Sequence, residues 1–138
     1  MPVITVRGAE TAYEERGGGA PVILLHGWNS TRKQWLLNLR PLSRQLRVVA
    51  PDLPGHGDSA EGEFPFTLDG MADFLDTFRK ALRLKRFDLV GHSMDGCIAL
   101  RYAATRQDAV QARARLHPHA QRQHGPAGLP SGTAASRL

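Results

Sequence analysis

Three short, predominantly apolar segments constrain the fold of this chain more than any other feature, and the first two are uninterrupted. They occupy residues 22–25, 48–50 and 87–90, and longer stretches with helical periodicity separate them. An apolar run without alternation is typical of a strand that is buried on both faces of a parallel sheet. Strands that alternate with helices in this order favour a parallel sheet with helices packed on its faces. The sequence therefore predicts an α/β protein.

The segments around these runs complete the predicted architecture. Residues 3–7 and 11–15 alternate apolar and polar side chains, which predicts a half-exposed hairpin. Residues 31–46 and a segment capped by Thr67 are predicted as helices, and a third helix is predicted after Ser93. The predicted fold class is thus an α/β sheet with an N-terminal hairpin plus three parallel strands and flanking helices.

The positive charge of the chain is concentrated at its C-terminal end. The formal net charge is +5, but residues 1–110 hold 14 of the 18 Lys and Arg and all 13 Asp and Glu, a net charge of +1. Residues 111–138 hold the other four Arg, no acid, and no Val, Ile, Met or aromatic residue. Such a segment cannot bury enough apolar surface to offset an ordering entropy of roughly 1–2 kcal/mol per residue. We predict one domain over residues 1–110 and a basic, low-complexity, disordered tail over residues 111–138.

The clearest chemical motif lies at residues 91–96. Its sequence, Gly-His-Ser-Met-Asp-Gly, falls between a predicted buried strand and a predicted helix. A serine on such a turn presents its hydroxyl outward, while small residues on either side let strand and helix pack closely. Backbone N–H groups that open the helix can stabilise an oxyanion, with the helix dipole behind them. The strand that ends at residues 26–28 is predicted to supply the other part of that site.

Three linked motifs resemble the α/β-hydrolase fold family in both order and spacing. They are Leu-His-Gly-Trp at 25–28, Ala-Pro-Asp-Leu-Pro-Gly-His-Gly-Asp-Ser at 50–59 and Val-Gly-His-Ser-Met at 90–94. The resemblance covers about residues 1–110 and implies an incomplete α/β-hydrolase sheet. It implies that Ser93 is the nucleophile and that the backbone N–H groups of Trp28 and Met94 form the oxyanion hole. It also implies hydrolysis of small-molecule esters, lactones and related acyl or carbon–carbon substrates, without a metal or an organic cofactor.

Two departures from the family pattern bear on activity. The family normally has Gly at the position of Asp95, where a carboxylate should crowd the strand–helix contact and oppose negative charge on an oxyanion. The family takes its triad acid and histidine from loops after later strands, whereas this chain leaves the pattern near Val110. The triad acid and histidine are thus predicted to be absent, which makes the chain a truncated, inactive or very weak hydrolase. The abrupt loss of the family pattern near Val110 also resembles translation in a shifted reading frame.

Two other functional classes stay open from the sequence. A non-catalytic interaction module would dock through the free edge of the strand at residues 87–90, and that edge would also allow self-association. A basic RNA-associated protein would use the tail arginines, but no aromatic residue lies among them, so specific nucleic-acid recognition is not expected. The tail histidines, His117, His119 and His124, are not expected to replace the missing base or to hold a metal.

Several individual residues are assigned structural roles. His26 is predicted to brace the oxyanion loop, and His56, Asp52 and Asp58 are predicted to hydrogen-bond within their own loop. The lone Cys97 excludes an internal disulfide or a cysteine-rich zinc module and is predicted to be a small buried side chain. No apolar run approaches the roughly 20 residues of a membrane-spanning helix, and the N-terminus has no signal-peptide pattern. We expect a cytoplasmic protein without membrane contact.

Overall fold

The computed structural model describes residues 2–110 and the backbone of residues 115–117. Its elements run along the chain as β1 Val3–Val6, β2 Ala9–Arg16, β3 Ala20–Leu25, a 3-10 helix Arg32–Trp35, α1 Leu36–Leu42, β4 Leu46–Pro51, α2 Leu68–Ala81, β5 Asp88–His92, α3 Met94–Thr105 and β6 Arg115–His117. Strands and helices alternate from β3 onwards, which confirms the predicted α/β class.

The described strands form one mixed sheet in the order β1-β2-β4-β3-β5-β6. β1 and β2 make the predicted antiparallel hairpin, which joins the rest of the sheet through antiparallel pairing of β2 with β4. β4, β3 and β5 are parallel neighbours. The predicted hairpin and three parallel strands are therefore confirmed.

Both faces of the central strand β3 are buried, as its continuous apolar run predicts. Val22 and Leu24 pack with Leu39 of α1 on one face of the sheet. Ile23 and Leu25 point to the other face, where they join the larger core formed with α2 and α3. Alternate residues of a strand project to opposite faces, so burial of four consecutive residues requires helices on both sides.

Helix α2 begins where the sequence predicts. The Thr67 hydroxyl accepts a hydrogen bond from the Gly70 N–H at 3.0 Å, which satisfies one of the amides that a helix N-terminus leaves without an acceptor. The apolar stripe of the helix is buried against the sheet through Met71, Phe74, Leu75 and Phe78.

Two local predictions are wrong. The helix predicted over residues 31–46 is a 3-10 turn followed by α1, which ends at Leu42; Leu46 instead begins β4 and pairs with Ala20. Leu46 fits the helical period, but pairing with β3 decides its conformation. Cys97 is exposed, because the buried face of α3 is formed by other residues, among them Ile98 and Tyr102.

The structure also differs from the sequence prediction after residue 110, where no strand is expected. The backbone of β6 pairs in parallel with residues 90–92, and Phe87 forms a bridge with Val110. A parallel ladder uses main-chain N–H and C=O groups, so a strand can form without apolar side chains. The edge of β5 that was expected to be open is therefore paired over residues 90–92. Self-association through an unpaired strand edge stays a prediction. The predicted disorder and frame shift of residues 111–138 otherwise fall outside the described residues.

Candidate active site

The carboxyl ends of the three central parallel strands bring the residues of the sequence motifs together. His26 follows β3, Asp52 follows β4 and Ser93 follows β5. β3 lies between β4 and β5 and runs parallel to both, so all three residues emerge at the same edge of the sheet. In open α/β sheets, ligands bind in the crevice at this edge.

Ser93 occupies the single-residue turn between β5 and α3. Its backbone has φ 59° and ψ −124°, a region that residues with a side chain rarely adopt and that marks stored strain when the surroundings enforce it. Its carbonyl accepts a hydrogen bond from the Gly96 N–H at 3.0 Å. Its hydroxyl makes no capping bond to the helix amides, so the helix itself does not engage the Ser93 Oγ.

Gly91 allows β5 and α3 to approach closely enough for this turn. A Cβ atom at Gly91 would collide with the backbone oxygen of Asp95 and would lie 2.7 Å from the Asp95 carbonyl carbon and 2.8 Å from the Gly96 nitrogen. All three are backbone atoms of the first turn of α3, which cannot rotate away as a side chain would. The small residue two positions before Ser93 is thus a steric requirement of the turn.

The loop after β3 packs against the Ser93 turn. A Cβ at Gly27 would lie 3.0 Å from the His92 Nδ1 and 3.6 Å from the His92 carbonyl oxygen, so Gly27 packs directly against the last residue of β5. The Gly27 N–H donates to the Gln34 Oε1 at 3.1 Å, and the Gly27 carbonyl accepts from the Ser30 N–H at 3.1 Å. The hydrogen bond from the Ser30 N–H to the Gly27 carbonyl closes a turn that contains Trp28. The Trp28 N–H itself does not form that bond.

The N–H of Met94 is the second donor implied by the sequence. Met94 is the first residue of α3, and the first amides of a helix have no acceptor within the helix. The helix dipole adds partial positive charge at the same point. The structure therefore places one loop amide and one helix-terminal amide on two segments that are in contact, at the edge of the sheet where Ser93 lies.

His26 is fully buried, and both of its ring nitrogens are engaged. The Leu53 N–H donates to the Nε2 at 3.0 Å, so the ring proton is on Nδ1, which lies 3.0 Å from the Gly27 carbonyl oxygen and donates to it. Burial lowers the pKa of this imidazole and keeps it neutral. The prediction that His26 braces the loop is confirmed, and these contacts leave no ring nitrogen free to act as a base.

A buried ion-pair cluster fixes the loop after β4, and sequence reasoning missed its central residue, Arg32. Arg32 is 4% exposed and pairs with Asp52, which is fully buried, and with Asp58 at 2.8 Å. Asp52 also accepts from the backbone N–H groups of Arg32, at 2.7 Å, and Asp58, at 2.9 Å. The structural roles predicted for both carboxylates are confirmed. The sequence offers no local sign that Arg32 is buried, because its partners are distant along the chain.

Asp95 is the most unusual side chain of the site. It is 1% exposed, and neither carboxyl oxygen has a hydrogen-bond partner within the described residues. The His26 Nδ1 lies 3.8 Å from the Asp95 Oδ2. Because burial disfavours the charged form, the pKa of this carboxyl rises to about 7. The carboxyl is therefore packed toward His26, in an environment that opposes its ionisation.

Two cavities flank the site and share Trp28 and Phe66. The first, of about 330 Å³, is mostly apolar and is lined by Trp28, Phe66, Thr67, Leu68, Met71, Met94 and Ile98. The second, of about 340 Å³, adds polar groups from the loop after β4, including His56 and Glu61. The Trp28 and Phe66 rings lie 5.1 Å apart, nearly edge to face, and form the wall between the cavities. Trp28 and Met94, whose backbone amides are predicted to form the oxyanion hole, both line the apolar cavity.

In residues 2–110 there is no group of three or more His, Cys, Asp or Glu side chains arranged to hold a metal ion. The same described region contains no helix long and apolar enough to cross a membrane.

The fold and the site geometry agree with the comparisons with known proteins. Residues 20–123 match the family model of the alpha/beta hydrolase fold. The chain belongs to the α/β hydrolase fold family. This match extends past residue 110, where the resemblance in the sequence motifs ends.

Relatives in this family carry different activities. The chain is 38% identical over 114 residues to the dihydrolipoyllysine-residue acetyltransferase component of the acetoin cleaving system of Cupriavidus necator, covering 82% of this chain and 30% of that protein. It is 31% identical over 106 residues to a soluble epoxide hydrolase of Corynebacterium sp., covering 77% of this chain and 37% of that enzyme. Among solved structures, a meta-cleavage product hydrolase from Pseudomonas fluorescens superposes with a TM-score of 0.76 at 30% identity, covering 84% of this chain and 43% of that one. The chain thus spans less than half the length of each.

Proposed function

We propose that this protein is a serine hydrolase in which the Ser93 Oγ attacks the acyl carbon of a small ester or lactone. The backbone N–H groups of Trp28 and Met94 then stabilise the oxyanion that forms. One observation carries this proposal: Ser93 is held at φ 59° on a strand-to-helix turn, and Gly27 packs against the adjacent end of β5. A strained serine at the same sheet edge as a loop amide and a helix-terminal amide is the arrangement that acyl transfer requires.

The proposed reaction proceeds in two stages. The Ser93 oxygen bonds to the substrate carbonyl carbon, and the carbonyl oxygen takes the negative charge. Collapse of that tetrahedral species breaks the bond to the leaving group, which takes up the Ser93 proton through solvent water. An acyl group is left on Ser93, and water later hydrolyses it. The two amides act through charge that develops in the transition state, and removal of one such donor costs about 10²–10³ in kcat in a well-studied protease.

Neither His26 nor His56 is identified as an acceptor for the hydroxyl proton of Ser93. His26 uses both ring nitrogens, and the His56 Nδ1 lies 3.0 Å from the Pro54 carbonyl oxygen. Loss of the triad base in a serine protease costs about 10⁶ in kcat and leaves roughly 10³–10⁴ over water. We therefore propose slow catalysis by this chain of 138 residues, with neither triad acid nor triad histidine supplied by residues 2–110.

The apolar cavity supports a substrate class. Its lining, described above, has no charged side chain and includes Met94, the residue next to Ser93. An uncharged acyl group fits this environment, since burial of an unpaired charge would be costly. The proposed partner is thus a small ester-like molecule, with no metal or organic cofactor in the reaction, and the cytoplasmic location stays a prediction.

Covalent labelling tests this proposal. A fluorophosphonate probe reacts with an activated serine by forming an O–P bond and releasing fluoride. We expect slow labelling of the wild-type chain and complete loss of labelling in Ser93→Ala. Ser43→Ala is the matched control, because the Ser43 hydroxyl donates to the Arg40 carbonyl at the C-terminal end of α1, and it should label at the wild-type rate.

Two results would count against a hydrolase. Labelling that persists in Ser93→Ala would assign the reaction to another residue. A wild-type chain that is folded by circular dichroism but never labels would favour a non-catalytic interaction module.

A further inference from the structure

The peptide bond between Gly27 and Trp28 links the proposed oxyanion hole to a buried hydrogen bond. Its N–H belongs to Trp28, and its carbonyl oxygen accepts from the His26 Nδ1 at 3.0 Å and from the Ser30 N–H at 3.1 Å. In a trans peptide the carbonyl and the N–H point in opposite directions. The donors to the Gly27 carbonyl therefore set the direction in which the Trp28 N–H points.

The Nδ1 proton of His26 is the only proton that this ring can donate. The Nε2 is occupied as an acceptor by the Leu53 N–H, so protonation of Nε2 would place two donors face to face. The ring consequently holds one proton, on Nδ1, and donates it in the hydrogen bond to the Gly27 carbonyl oxygen. A group that competes for this proton weakens the hydrogen bond to the Gly27 carbonyl. The Gly27–Trp28 peptide group, which carries the Trp28 N–H, is then held less firmly in its orientation.

Asp95 lies where it can compete with the Gly27 carbonyl oxygen for the Nδ1 proton of His26. Its Oδ2 lies 3.8 Å from the same Nδ1, and its carboxyl group is buried with no hydrogen-bond donor among the described residues. A protonated carboxyl in this position has little attraction for the imidazole N–H. A buried carboxylate without donors attracts the nearest N–H strongly, because the surrounding dielectric is low.

We propose that Asp95 is a protonation-dependent positioning residue for the oxyanion hole. When Asp95 is neutral, the His26 Nδ1–H stays hydrogen-bonded to the Gly27 carbonyl. When Asp95 ionises by releasing its proton to solvent, it attracts that N–H away from the carbonyl, and the Gly27–Trp28 peptide group is no longer held in its orientation. This inference rests on the proposed function, since it assumes that the Trp28 N–H contacts the oxyanion. The raised pKa of Asp95 supports the idea by placing the change near neutral pH.

Other titratable and charged groups face the same pair. The His56 ring packs 5.3 Å from the His26 ring, and the His92 Nδ1 faces Gly27 from the end of β5. Asp52 also acts on His26, but its charge is paired with Arg32. A test must therefore separate Asp95 from the two neighbouring histidines.

Amide NMR provides that separation without requiring activity. We expect the Trp28 amide and the His26 Nδ1 signals of the wild-type chain to shift with pH, with a common midpoint near 7. Asp95→Asn keeps the shape of the carboxyl but cannot ionise, so both signals should stay at their low-pH positions throughout. His56→Gln should leave the wild-type titration in place. Persistence of the titration in Asp95→Asn, or its absence from the wild type, overturns the proposal.

The labelling rate of Ser93 gives a second, functional readout. Relative to Asp95→Asn, the wild-type rate should fall by about tenfold or more from acidic to alkaline pH, because a misdirected amide loses part of the 10²–10³ that one donor provides. An unchanged ratio would contradict the proposal. Absence of labelling in both chains would instead contradict the proposed function, and the NMR titration would still decide the role of Asp95.

Discussion

Asp95→Ala should raise the free energy of unfolding by about 3 kcal/mol at mildly alkaline pH. The pKa of Asp95 rises from 3.8 to about 7 on folding, and each unit corresponds to about 1.4 kcal/mol, which gives a destabilisation of roughly 4 kcal/mol. An acid in the first turn of a helix also stabilises that helix by about 0.3–1 kcal/mol, and the alanine variant loses this contribution. The burial effect is the larger of the two, so the substitution is stabilising.

The sign of the pH dependence follows from proton binding. Below the unfolded-state pKa of 3.8, both states carry the proton and Asp95 costs nothing through ionisation. As the pH rises from about 4 to about 7, the unfolded chain releases the proton while the folded chain retains it, so stability falls. Above about 7 both states are ionised, and the destabilisation stays at its maximum.

Urea unfolding at several pH values measures this effect. The gain in Asp95→Ala should grow between about pH 4 and pH 7 and then level off. Asp95→Asn serves as the control, since it removes the charge while keeping the size of the side chain, and it should recover most of the gain. A difference between Asp95→Ala and wild type that does not vary with pH would show that Asp95 is ionised or solvated in the folded protein.

Gly91→Ala should destabilise the protein by at least about 3 kcal/mol and abolish labelling of Ser93. The added methyl group would collide with backbone atoms of Asp95 and Gly96 in the first turn of α3. Relief requires α3 to move away from β5, and overpacking of this kind costs about 1–3 kcal/mol, or more where backbone must shift. The same movement would remove the close approach that holds Ser93 at positive φ.

Gly18→Ala is the matched control for this substitution. A Cβ at Gly18 meets nothing within 4 Å, so its effect on stability should stay within about 0.5 kcal/mol. Thermal unfolding and fluorophosphonate labelling of both variants test the comparison. A stable Gly91→Ala chain that labels normally would mean that the close approach of β5 and α3 is not required.

Much of the fold could be predicted because single-residue properties decide it. The apolar runs at residues 22–25 and 48–50 form β3 and β4, since only a strand covered on both faces buries every residue of such a run. The N-cap at Thr67 is likewise encoded locally. β6 could not be predicted in this way, because main-chain pairing with β5 forms it and Leu116 is the one apolar residue among its three.

The candidate site was predictable only in outline. The motif spacing indicates Ser93 and the amides of Trp28 and Met94, and the structure brings the segments that carry them to one edge of the sheet. The burial of Arg32 and the approach of Asp95 to His26 depend on contacts between distant parts of the chain. The sequence shows that Asp95 departs from the family pattern, but not which group its carboxyl faces.

A crystal structure of the chain after reaction with a fluorophosphonate tests the central claim most directly. The phosphonyl group on Ser93 mimics the tetrahedral intermediate, and one of its oxygens stands for the oxyanion. We predict this oxygen within about 2.7–3.1 Å of the amide nitrogens of both Trp28 and Met94. An adduct whose phosphoryl oxygen points to solvent, or lies beyond hydrogen-bond distance of either amide, would contradict the proposed oxyanion hole.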